Sequence, residues 1–280
     1  DAQYGKGRRG DELPAELARR QSRLAKIREA KAALEAEARA QAAEAAAAAQ
    51  AKLAERERKS ETTGRRPKGR PPRIPDPTQA TPKPKAQRNF TDPESRIMKD
   101  GATQSFVQAY SAQAAVDGEA QVIVAAAVTQ EANDKQQLVP RLTEVVANCG
   151  KAPAVASADS GYCSAAAVTD PVLAPIDLYV AVERPKHGRD PAADLTPPPL
   201  PGDAPVLYAM RAKLQTVAGQ AAYALRKTII EPVFGQIKGP RGFRRFSFRG
   251  RGKVQAKGRL ICLTHNLLKL FRAGWTPQTA

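Results

Sequence analysis

From Ala15 to Lys59 the chain contains neither proline nor glycine and is built almost wholly of Ala, Glu, Arg, Lys and Gln with scattered Leu and Ile. A stretch of that composition has no turn former to interrupt it, so residues from about Asp11 to Lys59 are expected to form one long helix. What such a helix packs against is less constrained. Leu13, Leu17, Leu24, Ile27 and Leu34 fall on an a/d seam, but Arg20 and Lys31 occupy seam positions and the run Ala45 to Ala49 offers little to bury. A homodimer zipper, an antiparallel partner helix and a solvated arm all remain open.

From Ser60 to Arg88 the sequence changes to Pro, Gly, Thr and basic residues, which cannot bury enough apolar surface to offset chain ordering, and a flexible linker is expected. Within it Arg66 to Pro72 resembles an AT-hook, a short extended segment that lies in a DNA minor groove; a generic basic linker is the plainer reading. Charge favours a polyanionic partner: Lys and Arg number 45 against 28 Asp and Glu, for a formal net charge of +17. No apolar run reaches the roughly 20 residues of a spanning helix, so no membrane partner is expected. Cys149, Cys163 and Cys262 are odd in number and widely spaced, which suggests neither a disulfide framework nor a zinc site but free thiols of a reducing cytoplasm.

Beyond Asn89 the patterns alternate. Ser105 to Val116 and Gln121 to Thr129 read as two antiparallel strands around Asp117-Gly118-Glu119-Ala120. Asp134 to Asn148 carries Leu138, Leu142, Val145 and Val146 at helical spacing. Ala152 to Ala158 is an apolar strand that ends at Asp159-Ser160-Gly161-Tyr162, followed by a short helix from about Ser164 and a buried strand over Ile176 to Val182. A Pro-rich loop covers Pro191 to Pro205, helical pattern runs from Val206 to about Lys238, and Val254 to Phe271 forms a last amphipathic helix. That order indicates an α/β domain.

Two acids fall in informative places. Asp159 ends a strand, the edge at which open α/β sheets place their ligands, although a turn or cap role explains it equally. Glu231 lies on a late helix and is the last acid in the chain; Lys238, Arg241, Arg244, Arg245, Arg249 and Arg251 follow it, interleaved with Phe243, Phe246 and Phe248. An acid beside a basic tail suits a cation held next to a bound phosphodiester, with the basic residues on phosphates and the rings stacked on an unpaired base. Packing beneath the last helix is the alternative for those rings. His265 has no partner ligand in sequence and reads as structural. Pro232 is expected to bend or break the helix that carries Glu231.

The segments Asn89 to Met98, Phe106 to Asp117, Ala158 to Tyr162, Arg226 to Lys238 and Cys262 to Leu270 resemble the DDE transposases of bacterial insertion sequences. The resemblance implies an RNase H-like domain in which two Asp and one Glu bind two divalent ions, Mg²⁺ or Mn²⁺. Asp159 is then the second Asp, Glu231 the Glu, and Lys238 the lysine of a tyrosine-arginine-glutamate-lysine signature. Tyr223 and Arg226 keep their mutual spacing but lie one residue too far from Glu231. The first Asp belongs to an Asp-Gly-Thr-like first strand that nothing before Asp11 matches, and Asp92 and Asp117 are candidate replacements.

The organisation that follows is a helical arm (1–59), a basic Pro-rich linker (60–88), an RNase H-like catalytic domain lacking its first strand (89–275) and a tail (276–280). Implied partners are DNA, as element ends and target, and further copies of the chain in the complete enzyme, at the bacterial nucleoid. A DNA-binding remnant or regulator without catalysis, and a helical multimerisation protein, are the alternatives.

Overall fold

The computed structural model describes residues 20–65, 69–101, 103–183 and 205–274. They divide into two units, Asp1–Pro93 and Glu94–Ala280. Arg66, Pro67 and Lys68 of the hook-like segment, Leu13 and Leu17 of the seam, and residues 184–204 of the Pro-rich region lie outside the described residues.

Helix α1 (Arg20–Thr63) dominates the first unit. It runs past Lys59 because Ser60, Glu61, Thr62 and Thr63 offer no breaker before Gly64, and the two threonine hydroxyls back-bond to Arg58 O and Lys59 O. A single 3-10 turn, Pro77–Gln79, capped by Asp76, packs along α1. Arg88 pairs with Glu37 at 2.7 Å, and Ala46 and Ala49 are buried. The small Ala side chains of the helix thus accommodate a close neighbour, while Leu24 and Ile27 of the seam stay exposed.

The second unit is mixed α/β. The stretch from Ser105 to Val116 does not form one strand. It splits at Tyr110, so that β2 (Phe106–Ala109) pairs antiparallel with β1 (Arg96–Lys99), a strand that sequence reading missed. Strand β3 (Ser111–Val116) pairs antiparallel with β4 (Ile123–Thr129), from Ser111 opposite Thr129 to Val116 opposite Ile123, with a bulge at Ala115/Val116. Helix α2 (Leu138–Cys149) follows and ends at Gly150, whose φ of 70° is the left-handed cap that glycine takes without penalty. Strand β5 (Val155–Ala158) and strand β6 (Asp177–Val180) pair parallel, joined through the short helix α3 (Ala165–Val168). Leu138, Leu142, Cys163, Leu173, Ile176, Leu178 and Val180 form the core beneath this pair.

The expected helix from Val206 to Lys238 is two: α4 (Pro205–Gln215) and α5 (Val217–Lys238). Thr216 separates them and caps α5 by accepting from Gly219 N at 3.0 Å. A Cβ at position 219 would lie 2.0 Å from Lys213 O, so only glycine allows this close turn. The last helix, α6 (Arg251–Arg272), packs along β4.

That packing is polar as well as apolar. Among the described residues no strand lies beside the outer edge of β4, and α6 supplies partners from side chains. Gln255 accepts from Val128 N at 2.6 Å, and Asn266 accepts from Ile123 N at 2.9 Å and donates to Ile123 O at 2.8 Å. On α2, Asn148 donates to Val124 O. An open strand edge is thereby satisfied without a further strand.

Pro232 does not break its helix; α5 runs through it to Lys238. Proline cannot donate to the carbonyl four residues back, Thr228 O, and that carbonyl instead accepts from Gln121 Nε2 at 2.9 Å. Gln121 reaches it from the hairpin turn with φ of 57°. The same residue accepts at its backbone O from His265 Nε2 at 3.1 Å and at Oε1 from Lys269 at 2.8 Å. One side chain therefore joins the turn, α5 and α6.

Gln121→Ala is expected to lower the stability of the second unit by roughly 0.5–1.5 kcal/mol, the net worth of the side-chain hydrogen bonds it removes from a half-exposed site. Pro232→Ala should restore an N–H to Thr228 O, so the same Gln121→Ala change should cost less in that background. A double-mutant cycle by urea denaturation measures the coupling; strictly additive effects would refute the proline compensation.

Candidate active site

Strands β3 and β5 do not pair with each other, and a cleft of about 840 Å³ opens between them. Its walls are β3 from Ser111 to Val116 and β5 from Val155 to Ala158. Leu138, Leu142 and Val145 of α2, and Ile229, Ile230 and Phe234 of α5, also line it.

Asp159 stands at one end of this cleft. It leaves β5 in extended conformation and turns the chain by accepting from Gly161 N at 2.9 Å through Oδ1. Asp134, ahead of α2, faces it: a methyl placed on Gly161 would sit 3.0 Å from Asp159 Oδ1 and 3.3 Å from Asp134 Oδ2. Sequence reading did not single out Asp134, because only the fold brings the end of one hairpin to the end of β5. Buried Gln113 of β3 donates to Asp134 Oδ1 at 2.6 Å and accepts from the Tyr162 hydroxyl. Burial, then the charges of Asp134 and Asp159, push the Tyr162 hydroxyl well above the usual tyrosine range, with Arg141 opposing. This network ties the Asp159 turn to the start of β3.

Arg141 and Arg226 also line the cleft, and the Nε of each is buried with no hydrogen-bond partner among the described residues. Arg226 lies over the Tyr223 ring at 5.4 Å, one turn along α5. Glu231 is exposed on α5, between Ile230, which lines the cleft, and Pro232; its own side chain is not part of the lining. Lys238 is exposed in the last turn of α5, over the Phe234 ring at 5.4 Å.

The two earlier candidate acids are differently placed. Asp117 holds the hairpin turn, accepting from Glu119 N and Ala120 N through Oδ2, at the far end of β3 from Ser111. Asp92 is buried in the first unit. The chemistry of Asp134 and Asp159, hard carboxylate oxygens, suits Mg²⁺ or Mn²⁺. Among the described residues no three His, Cys, Asp or Glu side chains group closely enough to hold a metal ion.

The basic segment after α5 is anchored as well as charged. Arg241 donates to Thr264 Oγ1 and Ile261 O of α6 and lies over Phe243 at 5.5 Å. Phe246 lies over Gly258 of α6, where an added Cβ would meet its ring at 3.8 Å. Between these anchors Phe243, Arg244 and Arg245 are exposed, and beyond Phe246 so are Phe248 and Arg249. Arg251 is exposed at the start of α6, where its backbone N–H donates to Glu94 at 2.8 Å. His265 is a structural side chain, almost fully buried against Gln121.

Residues 205–271 match the family model of the transposase DDE domain. The chain carries a DDE transposase segment. The matched residues are helices α4, α5 and α6, and so include Glu231, Lys238 and the anchored basic loop, while Asp159 lies outside them. No curated protein and no solved structure matches the chain. No helix among the described residues is long and apolar enough to cross a membrane.

Arg241→Gln is expected to destabilise the second unit by roughly 1–3 kcal/mol, whereas Arg244→Gln and Arg245→Gln should change stability by under about 0.5 kcal/mol. Chemical denaturation of the three variants checks this. The raised Tyr162 hydroxyl gives a pH test. In the unfolded chain tyrosine ionises near pH 10, whereas in the fold it stays protonated to higher pH, so its stabilising contribution is complete below about pH 10 and declines above it. Tyr162→Phe should flatten the loss of stability above pH 10; an unchanged slope would show that Tyr162 is not the group responsible.

Proposed function

We propose that this chain is part of a DNA transposase of a bacterial insertion sequence, with an RNase H-like catalytic domain in which Asp159 and Glu231 are two of the metal-binding acids. The observation that carries the reading is the conjunction of a strand-end carboxylate at an open cleft with a transposase DDE match that spans Glu231, Lys238 and the basic loop. The same reading makes the chain a nucleoid-associated protein that works as an oligomer on element ends and target DNA.

Asp159 and Glu231 are the residues that would hold Mg²⁺ or Mn²⁺, and Asp134, beside Asp159, joins them as a candidate. A divalent ion so held supplies Lewis-acid stabilisation of charge on the attacked phosphodiester. The chain's own residues do the positioning. Lys238, Arg244, Arg245, Arg249 and Arg251 neutralise backbone phosphates, while Phe243 and Phe248 offer faces to an unpaired terminal base. Arg241 acts through packing, by fixing the loop on α6. In this reading the first strand and its acid, which the resemblance puts upstream of the helical arm, belong between β3 and β5.

DNA affinity is expected to fall steeply between about 50 and 200 mM salt and to vary little with sequence. Replacing Arg244, Arg245 and Arg249 together by Gln should weaken binding and reduce the salt slope; unchanged affinity would remove the loop from the interface. The chain alone is expected to bind DNA without cutting it. When the first strand is joined in frame, Mg²⁺- or Mn²⁺-dependent cleavage should appear, and Asp159→Asn or Glu231→Gln should abolish it without loss of DNA affinity. Cleavage that survives Glu231→Gln would sink the catalytic assignment. Cleavage by the chain alone that Asp134→Asn abolishes would make Asp134 the third acid.

A further inference from the structure

Helix α6 carries two apolar faces, and the described fold uses one of them. Val254 and His265 are buried, Ile261 packs with Ile123, and Gly258 lies against Val128. On the opposite side Leu260, Leu263, Leu267 and Leu270 recur at intervals of three and four residues and are 37 to 58 % exposed, with Phe271 beside them 76 % exposed. That spacing is the a/d seam of a coiled coil, into which the side chains of a second helix interdigitate. The leucines together form an apolar patch on the order of several hundred Å², the size at which exposed apolar surface marks an interaction site.

The borders of the seam carry one sign of charge only. Lys253 occupies the a position one heptad before Leu260, Lys257 the e position and Arg259 the g position, and α6 holds six basic residues and no acid. On the e side the basic loop runs along the seam, since Lys257 donates to Ser247 Oγ at 2.6 Å and lies over Phe248, and Arg241 donates to Thr264. Charges that border a seam choose its partner. A second α6 would set Lys253 against Lys253 in a parallel pair, with no acid on either helix to relieve it. Helix α1 of a second copy fits no better, because Lys31 interrupts its Leu24 and Ile27 seam and Arg23 and Arg28 border it. A bilayer surface imposes no heptad, and helices that lie on one present a broader apolar face than this a/d stripe.

We propose that the exposed face of α6 docks an acidic amphipathic helix of a partner protein, with Leu at its own a and d positions and Glu where it meets Lys253, Lys257 and Arg259. The apolar seam supplies the contact area, and the one-signed borders select an acidic helix over a neutral or basic one. Neither the seam nor its charges depend on the transposase reading.

The test uses the whole chain and three labelled peptides of three heptads each, all with Leu at a and d and with Glu, Gln or Lys at e and g. Fluorescence anisotropy should show the Glu peptide binding about tenfold more tightly than the Gln peptide, and the Lys peptide should not bind. Leu263→Lys together with Leu267→Lys should weaken binding of the Glu peptide by at least about tenfold. Urea denaturation of that variant should match the parent chain, since Leu and Lys are similar helix formers and both positions are open. A loss of stability would show that this chain itself covers the face and would overturn the proposal. Equal affinity for all three peptides would also overturn it, as would Glu-peptide binding that the two substitutions leave unchanged. Sedimentation of the chain alone as a dimer that the substitutions dissociate would assign the face to a second copy instead. Binding to phosphatidylglycerol vesicles and to none of the peptides would replace the helix by a membrane surface.

Discussion

The second unit is organised by the need to satisfy strand edges. Among the described residues the strands form three two-stranded sheets, and each strand has one side that another strand does not cover. On β4 the solution is a helix whose Gln255 and Asn266 imitate a neighbouring strand, and this fixes where α6 lies. Val254, fully buried, and Ile261 and Cys262 then pack on the same side. Burial pushes the Cys262 thiol up, as expected of a packing residue and not a reactive one.

Position on α6 in turn sets the basic loop. Arg241 and Phe246 bind the loop to the helix, so the exposed arginines between them are held on a short, anchored span. Their presentation follows from β4's edge chemistry at one remove. The acid end of the cleft is built on the same logic, since buried Gln113 can be tolerated on β3 only because Asp134, Tyr162 and Ser111 all meet it.

Periodicity and turn residues made most elements legible from sequence: α1, α2, the β3/β4 hairpin, β5 with its terminal Asp159, and α6. Two kinds of feature were hidden. The β1/β2 hairpin was missed because Ser105 to Val116 reads as one apolar stretch, and nothing local announces that pairing partners change at Tyr110. The intact helix at Pro232 was missed because its rescue comes from Gln121, over a hundred residues away in sequence and in a backbone conformation unusual for glutamine. Asp134 failed for a similar reason: it reads as the start of the helical stretch from Asp134 to Asn148, which begins only at Leu138, and its proximity to Asp159 exists only once β3 and β5 face each other. The C-terminal motif was legible from residues alone, and the transposase DDE match covers it.

Gln121 makes the hairpin turn a mechanical coupling. Its amide grips α5 within one turn of Glu231, while its carbonyl oxygens are held by His265 and Lys269 of α6. The two helices also meet directly, Val233 and Ile237 of α5 packing with Ile261 and Cys262 of α6. They are thus joined by an apolar face and, apart from it, by one side chain that ends on the carbonyl Pro232 leaves without its helical donor.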